Sequence, residues 1–258
     1  MKVRSSWEIQ KSVIYALFLR EVNVRFSAGK IGYVWVFLEP LLQILIFVSV
    51  KILLFGKRSS FDYAVFITVG FIGYNLFRHI VNNSMSAFKS NKALFAYKQV
   101  KPIDTLIARL LVEIMIMGVI ALVFIIVGFY FSYDMNPENL GMILITFVWL
   151  IIFAFGFGLF VSVIGFFFTS FTKVVKLVMM PLMFISAIFY TLADLPPSAQ
   201  QLLSINPLVH FMELIHASYF HSLTDQFVNY TYMLIWTAIP LYIGLRLYVR
   251  LSKAIVSQ

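Results

Sequence analysis

The sequence predicts an all-α polytopic membrane protein with six transmembrane helices, and three observations carry that expectation. Only 12% of the 258 residues are charged, where a soluble domain carries roughly a quarter. Several apolar runs reach the ~20 residues that cross a bilayer as a helix. Alternation with a period of two, the mark of an outer-membrane barrel, is absent from them.

The elements follow in chain order. Residues 6–22 (SWEIQKSVIYALFLREV) set Val13, Ile14, Leu17 and Phe18 at helical spacing, with Lys11 and Ser12 off that stripe. Short and charged, this segment reads as a helix lying in the membrane interface. The alternative is a cytoplasmic helix packed on the bundle. Six apolar spans come next: Tyr33–Phe55, Tyr63–Val81, Asp104–Phe131, Leu140–Phe168, Val174–Leu192 and Tyr230–Tyr248. Spans three and four exceed the bilayer length and are expected to tilt or protrude. Residues 193–229 are too broken by Pro196, Pro197 and Pro207 for a span, yet too apolar for an ordinary loop. There Asn206 caps a helix that Pro207 opens. The segment reads as a pair of short re-entrant helices dipping into the outer leaflet. With no internal repeat, the chain is one domain over 1–258: an interfacial segment at 1–32 and the bundle at 33–258.

Basic residues set the orientation. They collect before span one (Lys2, Arg4, Lys11, Arg20, Arg25, Lys30), between spans two and three (Lys89, Lys92, Lys98, Lys101), at Lys173 and Lys176, and in the tail at Arg246, Arg250 and Lys253. The opposite side has Lys57 and Arg58 only. Both termini are therefore expected in the cytoplasm, a parity that six spans satisfy. This clustering in alternate loops also argues against nucleic acid as the reason for the net charge of +9. No cleavable signal peptide is read, so the first span is expected to serve as its own insertion signal. The absence of cysteine excludes disulfides and thiol catalysis.

Chemistry-bearing patterns are sparse. Gly29-Lys30 lacks the upstream glycine of a phosphate-cradling loop and is followed by Ile31. His210, Glu213 and His216 do not fall at the i, i+4 spacing of a metal-binding pair, and they read as interfacial helix surface. Glu39, Lys51, Arg78, Asp104, Arg109 and Glu113 lie in or near spans, where ions are costly and become functional candidates. Asp104, Arg109 and Glu113 are expected to pair along span three at its inner face. The aromatics divide between lipid-facing belts and rings that line a path for sugars. Gly156, Gly158 and Gly165 permit close helix contact, and Pro40, Pro181 and Pro240 fall inside spans.

Three stretches carry a family resemblance: LFAYKQVKPIDTLIAR (94–109), LFLREVNVRFSAGKIGYVWVFLEP (17–40) and NPLVHFMEL (206–214). They resemble capsular polysaccharide export permeases, the KpsM-like group of type-2 ABC exporters, in order and over nearly the whole chain. Two departures stand out. Lys98-Gln99 occupies a place where the family often has Arg-Pro, and residues 27–30 are a variable patch. The resemblance implies a transport subunit of the bacterial inner membrane rather than an enzyme. It implies a second copy of the chain, two separate ATPase subunits that hold ATP and Mg, and further partners in the periplasm and outer membrane. The cargo it implies is a lipid-linked acidic polysaccharide. O-antigen or teichoic-acid-like polymer is the alternative cargo. A membrane-bound glycan transferase is the rival class, and no acid/base constellation supports it.

Residues 89–101 then suit a cytoplasmic coupling helix. Leu94, Phe95 and Tyr97 offer an apolar and aromatic plug, Lys92, Lys98 and Lys101 flank it to meet acidic groups on the ATPase, and Val100 is counted with them among the coupling residues. The bland alternative is a solvated basic loop. For an anionic glycolipid, Arg20, Arg25 and Lys30 stand at headgroup depth, with Tyr33 and Trp35 placed to stack on its first sugar. This glycolipid gate competes with simple anchoring of the first helix to anionic lipid.

Overall fold

The computed structural model describes residues 5–26, 32–55 and 62–257, with the side chains of 32–37, 51–52 and 54–55 outside that description. The helices are α1 (Ser6–Phe26), α2 (Gly32–Phe55), α3 (Tyr63–Ser84), α4 (Ala87–Ser90), α5 (Pro102–Tyr130) and α6 (Leu140–Phe167). After them come α7 (Thr169–Phe184), α8 (Pro197–Leu203), α9 (Pro207–Tyr219) and α10 (Tyr230–Ser257). Tight 3-10 turns occupy Lys92–Ala96 and Leu192–Asp194. No strand occurs among the described residues.

Helix starts follow local chemistry. Asp62 accepts from the Ala64 N–H to open α3, and Asn139 accepts from Met142 to open α6. Pro102 begins α5, where a missing N–H costs nothing, and Asp104 accepts from the Lys101 N–H. Asn206 and Pro207 start α9 as the sequence indicates.

Among the described helices, α3, α5, α6 and α10 are long and apolar enough to cross a membrane. The fifth expected span is shorter than its apolar run. Helix α7 has 16 residues, about 24 Å of rise against a hydrocarbon core of ~30 Å. It ends at Phe184, not at Leu192. Beyond it Ala187 takes a left-handed backbone (φ 57°), and Ser186, Ala187 and Ile188 are buried. Irregular backbone of this kind persists at depth only against protein. Asn206 provides that support, donating to the Ile185 carbonyl (3.0 Å) and to Ser186 Oγ (2.9 Å). The last helix runs on to Ser257 instead of stopping near Tyr248, so Arg246, Arg250 and Lys253 ride on it.

The core lies where α3, α6 and α9 meet. Phe153 stacks between Phe77 and Phe211, with ring centroids 5.2 and 5.4 Å away. Helices α6 and α10 pack most intimately. A Cβ on Gly156 would come 2.9 Å from the Leu241 backbone, and one on Gly244 would come 2.9 Å from the Phe160 backbone nitrogen. Trp149 adds a 2.9 Å bond to Thr237 across the same seam.

Helix α9 is not interfacial surface. It is buried on nearly every side, and His210, Glu213 and His216 are buried with it. Each has a structural partner. His210 Nε2 lies 2.9 Å from the Ser204 carbonyl, Glu213 accepts from the Leu192 N–H at 2.8 Å, and His216 Nε2 lies 3.2 Å from the Phe66 carbonyl. Burial pushes the Glu213 carboxyl up to about 7; the Leu192 N–H opposes the rise and the Asp194 charge adds to it. No group of acidic or histidine side chains among the described residues is placed to hold a metal.

Candidate functional site

The chain between α3 and α5 surfaces at the end of the bundle where the basic residues gather, and its own side chains fix its shape. It is one α turn (α4) followed by the 3-10 turn, not the regular helix expected from sequence. Phe88 and Phe95 point inward and pack with Leu106, Leu159, Val163, Phe166 and Ile255. Phe95 is therefore 5% exposed and roots the connector, so it is not the outward plug the sequence suggested. Tyr97, at 66%, projects instead. Lys98 and Lys101 are exposed beside it, and Leu94 and Val100 are half-buried. The outer surface is thus one aromatic ring among cations, on a base that cannot flex without unpacking Phe88 and Phe95.

A buried charge network stiffens that base. Arg109 of α5 reaches three elements at once. Its Nη1 donates to the Asn83 carbonyl (2.6 Å) and Ser86 Oγ (2.9 Å), and its Nη2 donates to Ser90 Oγ (2.6 Å). Its Nε lies 2.6 Å from Glu21 of α1. Glu113 pairs with Arg25 and accepts from Asn83 Nδ2 at 2.6 Å. Gln10 bonds Asp104. The three ions of span three therefore pair across to α1 and α3, not along their own helix. Asp104 and Arg109, five apart, do not face each other, whereas Arg109 and Glu113, four apart on one face, each take a closer partner on α1.

Helix α1 is seated on α5 by the same contacts. Leu17 and Glu21 are buried, with Val13, Ile14 and Phe18 half-buried on one stripe. Arg20 donates to Asn91 Oδ1 (2.6 Å), tying α1 directly to the connector. Of the glycolipid-gate residues, Arg20 and Arg25 thus have protein partners. Lys30 lies outside the described residues, as do the side chains of Tyr33 and Trp35. Asn206, Pro207, His210 and Glu213 form the structural seat of α9 described above. Sequence reasoning missed Glu21, Asn83, Ser86 and Ser90. Their only signal was the presence of Arg109 and Glu113 in an apolar helix, which demands partners without naming them.

The family model described as ABC-2 type transporter matches residues 12–220. The chain is 33% identical over 256 residues to the polysialic acid transport protein KpsM of Escherichia coli, covering 99% of each. It is 31% identical to the capsule polysaccharide export inner-membrane protein CtrC of Neisseria meningitidis serogroup A, over 97% of this chain and 95% of that one. It is 26% identical to the corresponding protein BexB of Haemophilus influenzae, over 99% and 97%.

Proposed function

From the premise that this chain belongs to the ABC-2 type transporter family, we propose that it is the transmembrane subunit of an exporter moving lipid-linked capsular polysaccharide across the bacterial inner membrane. A separate ATPase, holding ATP and Mg, supplies the drive. The observation that carries the reading is the connector at residues 87–101. A docking surface that transmits force has to be stiff, and this one is held by Phe88, Phe95 and the Arg109 network. Tyr97, Lys98 and Lys101 are what it offers, an aromatic anchor with cations around it. Two copies of the chain about a symmetry axis enclose the path, each engaging one ATPase subunit. Periplasmic and outer-membrane proteins carry the polymer onward. On the same reading Arg20, Arg25, Lys30, Tyr33 and Trp35 form the gate for the anionic glycolipid. Arg20 retains exposed surface for that purpose.

Deleting the gene in a capsule-producing cell tests the reading. Polymer is expected to be made and to accumulate inside. Loss of synthesis itself would instead indicate a glycan transferase.

The proposal includes six spans with both termini in the cytoplasm, α2 and α7 completing the count. The chain has no cysteine, so single cysteines can be added on a clean background. Cysteines at the exposed positions Asn136 and Ser198 are expected to react with an impermeant thiol reagent from outside, and one at exposed Gln99 is not. Outside labelling at position 99 as strong as at 198 would overturn the topology.

A further inference from the structure

Helix α3 carries a second polar feature that borders the charge network, His79 Nδ1 lying 3.8 Å from Glu113 Oε2. Asn75, Arg78, His79 and Asn82 fall within one face of the helix, at spacings of three and four. Glu39 and Gln43, also four apart, come from α2, which packs beside α3. Arg78 Nη2 lies 3.9 Å from Glu39 Oε1, too long for a tight pair. Asn75 is 1% exposed, yet neither its Oδ1 nor its Nδ2 has a hydrogen-bond partner. Gln43 Oε1, His79 Nε2 and Asn82 Oδ1 are shielded and without a hydrogen bond as well. Buried polar groups are ordinarily satisfied, and leaving several unmet along one face destabilises the fold. Apolar side chains would pack there at no such cost. An occupant that brings its own hydrogen bonds would satisfy these groups once the packing that shields them opens.

We propose that this face of α3, with Gln43 and Glu39 of α2, is a sugar-binding site on the export path. The inference rests on the reading of the chain as a glycan exporter. The amides of Asn75, Asn82 and Gln43 both donate and accept, as sugar hydroxyls require. Arg78 adds a cation for an acidic sugar, and Glu39 keeps that cation from binding the carboxylate too tightly to release it. Asn75 lies nine residues from the inner end of α3 and Asn82 two. The site therefore runs about 10 Å along the helix, from near its middle toward the side where polymer is loaded.

Two measurements on the intact exporter in polymer-producing cells test it. A photo-crosslinking p-benzoylphenylalanine is placed at Asn82, and at Ile126 of α5, which is 68% exposed, as the control. Irradiation during export is expected to attach glycan, removable by digestion of the polymer, at position 82 and not at 126. Attachment only of lipid or of the second permease copy at 82, or no glycan above the control, overturns the site. Continued export in the same cells leaves the exporter reading standing. The second measurement uses Asn75→Leu. The variant's melting temperature is expected to hold or rise, because unmet polar atoms are gone, while export falls roughly tenfold, the equivalent of about one lost hydrogen bond. A lowered melting temperature would mark Asn75 as structural. Unchanged export would mark these amides as serving bound water only. Either result overturns the proposal.

Discussion

Arg109→Ala is expected to cost about 3–5 kcal/mol of stability, the range for breaking one side of a buried ion pair. The loss goes beyond one contact. Glu21, 8% exposed, is left charged without its partner, and the Asn83 carbonyl and the Ser86 and Ser90 hydroxyls lose their shared donor. The connector then loses one of its ties to α1 and keeps the Arg20–Asn91 bond. Arg109→Lys is expected to recover only part of the stability, because an ammonium lacks the planar fork that reaches several elements together. The double variant Arg109→Ala with Glu21→Ala should be less destabilised than the single one, since the orphaned charge is removed too. Thermal unfolding of the purified permease in detergent measures all three. A single variant that unfolds within about 0.5 kcal/mol of the native chain would show the network to be incidental.

Reversing both Lys98 and Lys101 to Glu is expected to abolish co-purification with the ATPase while the permease itself remains stable. Both side chains are exposed and serve no internal bond among the described residues. Tyr97→Ala should weaken the association by about 2 kcal/mol or more, roughly thirtyfold, if the ring fills a pocket at the centre of the interface. Phe95→Ala should behave differently. The buried ring supports the connector from beneath, so its loss is expected to lower the permease's own stability by about 3–5 kcal/mol. Measuring melting and co-purification on the three variants separates support from docking. Equal effects of Tyr97→Ala and Phe95→Ala on both readouts would contradict the division of roles.

The helical class was legible in the sequence because apolar length and basic clustering are one-dimensional signals. The caps at Asn206-Pro207 were legible for the same reason: a cap is local chemistry. Phe95 was misread because LFAYKQVK contains three large apolar or aromatic residues in four positions. Which of them faces inward depends on a 3-10 turn and on α6 and α10, more than fifty residues away. The early end of α7 was hidden by apolar residues continuing through Ile188, since buried irregular backbone and helix look alike in hydropathy. His210, Glu213 and His216 looked like surface because polar residues usually are. Their burial depends on backbone partners at Ser204, Leu192 and Phe66, and no spacing rule points to those.

On the proposed reading this chain is a passive membrane path worked through residues 87–101 by a separate ATPase. Co-reconstitution into vesicles checks that reading. The chain and its ATPase are placed in vesicles with the docking surface outward, and lipid-linked capsular polymer and ATP are supplied outside. Uptake of polymer is expected only with both proteins and ATP present. The chain alone should hydrolyse no ATP, and the Lys98→Glu, Lys101→Glu pair should stop uptake. Uptake at the native rate by that double variant, or ATP hydrolysis by the chain on its own, would contradict the account.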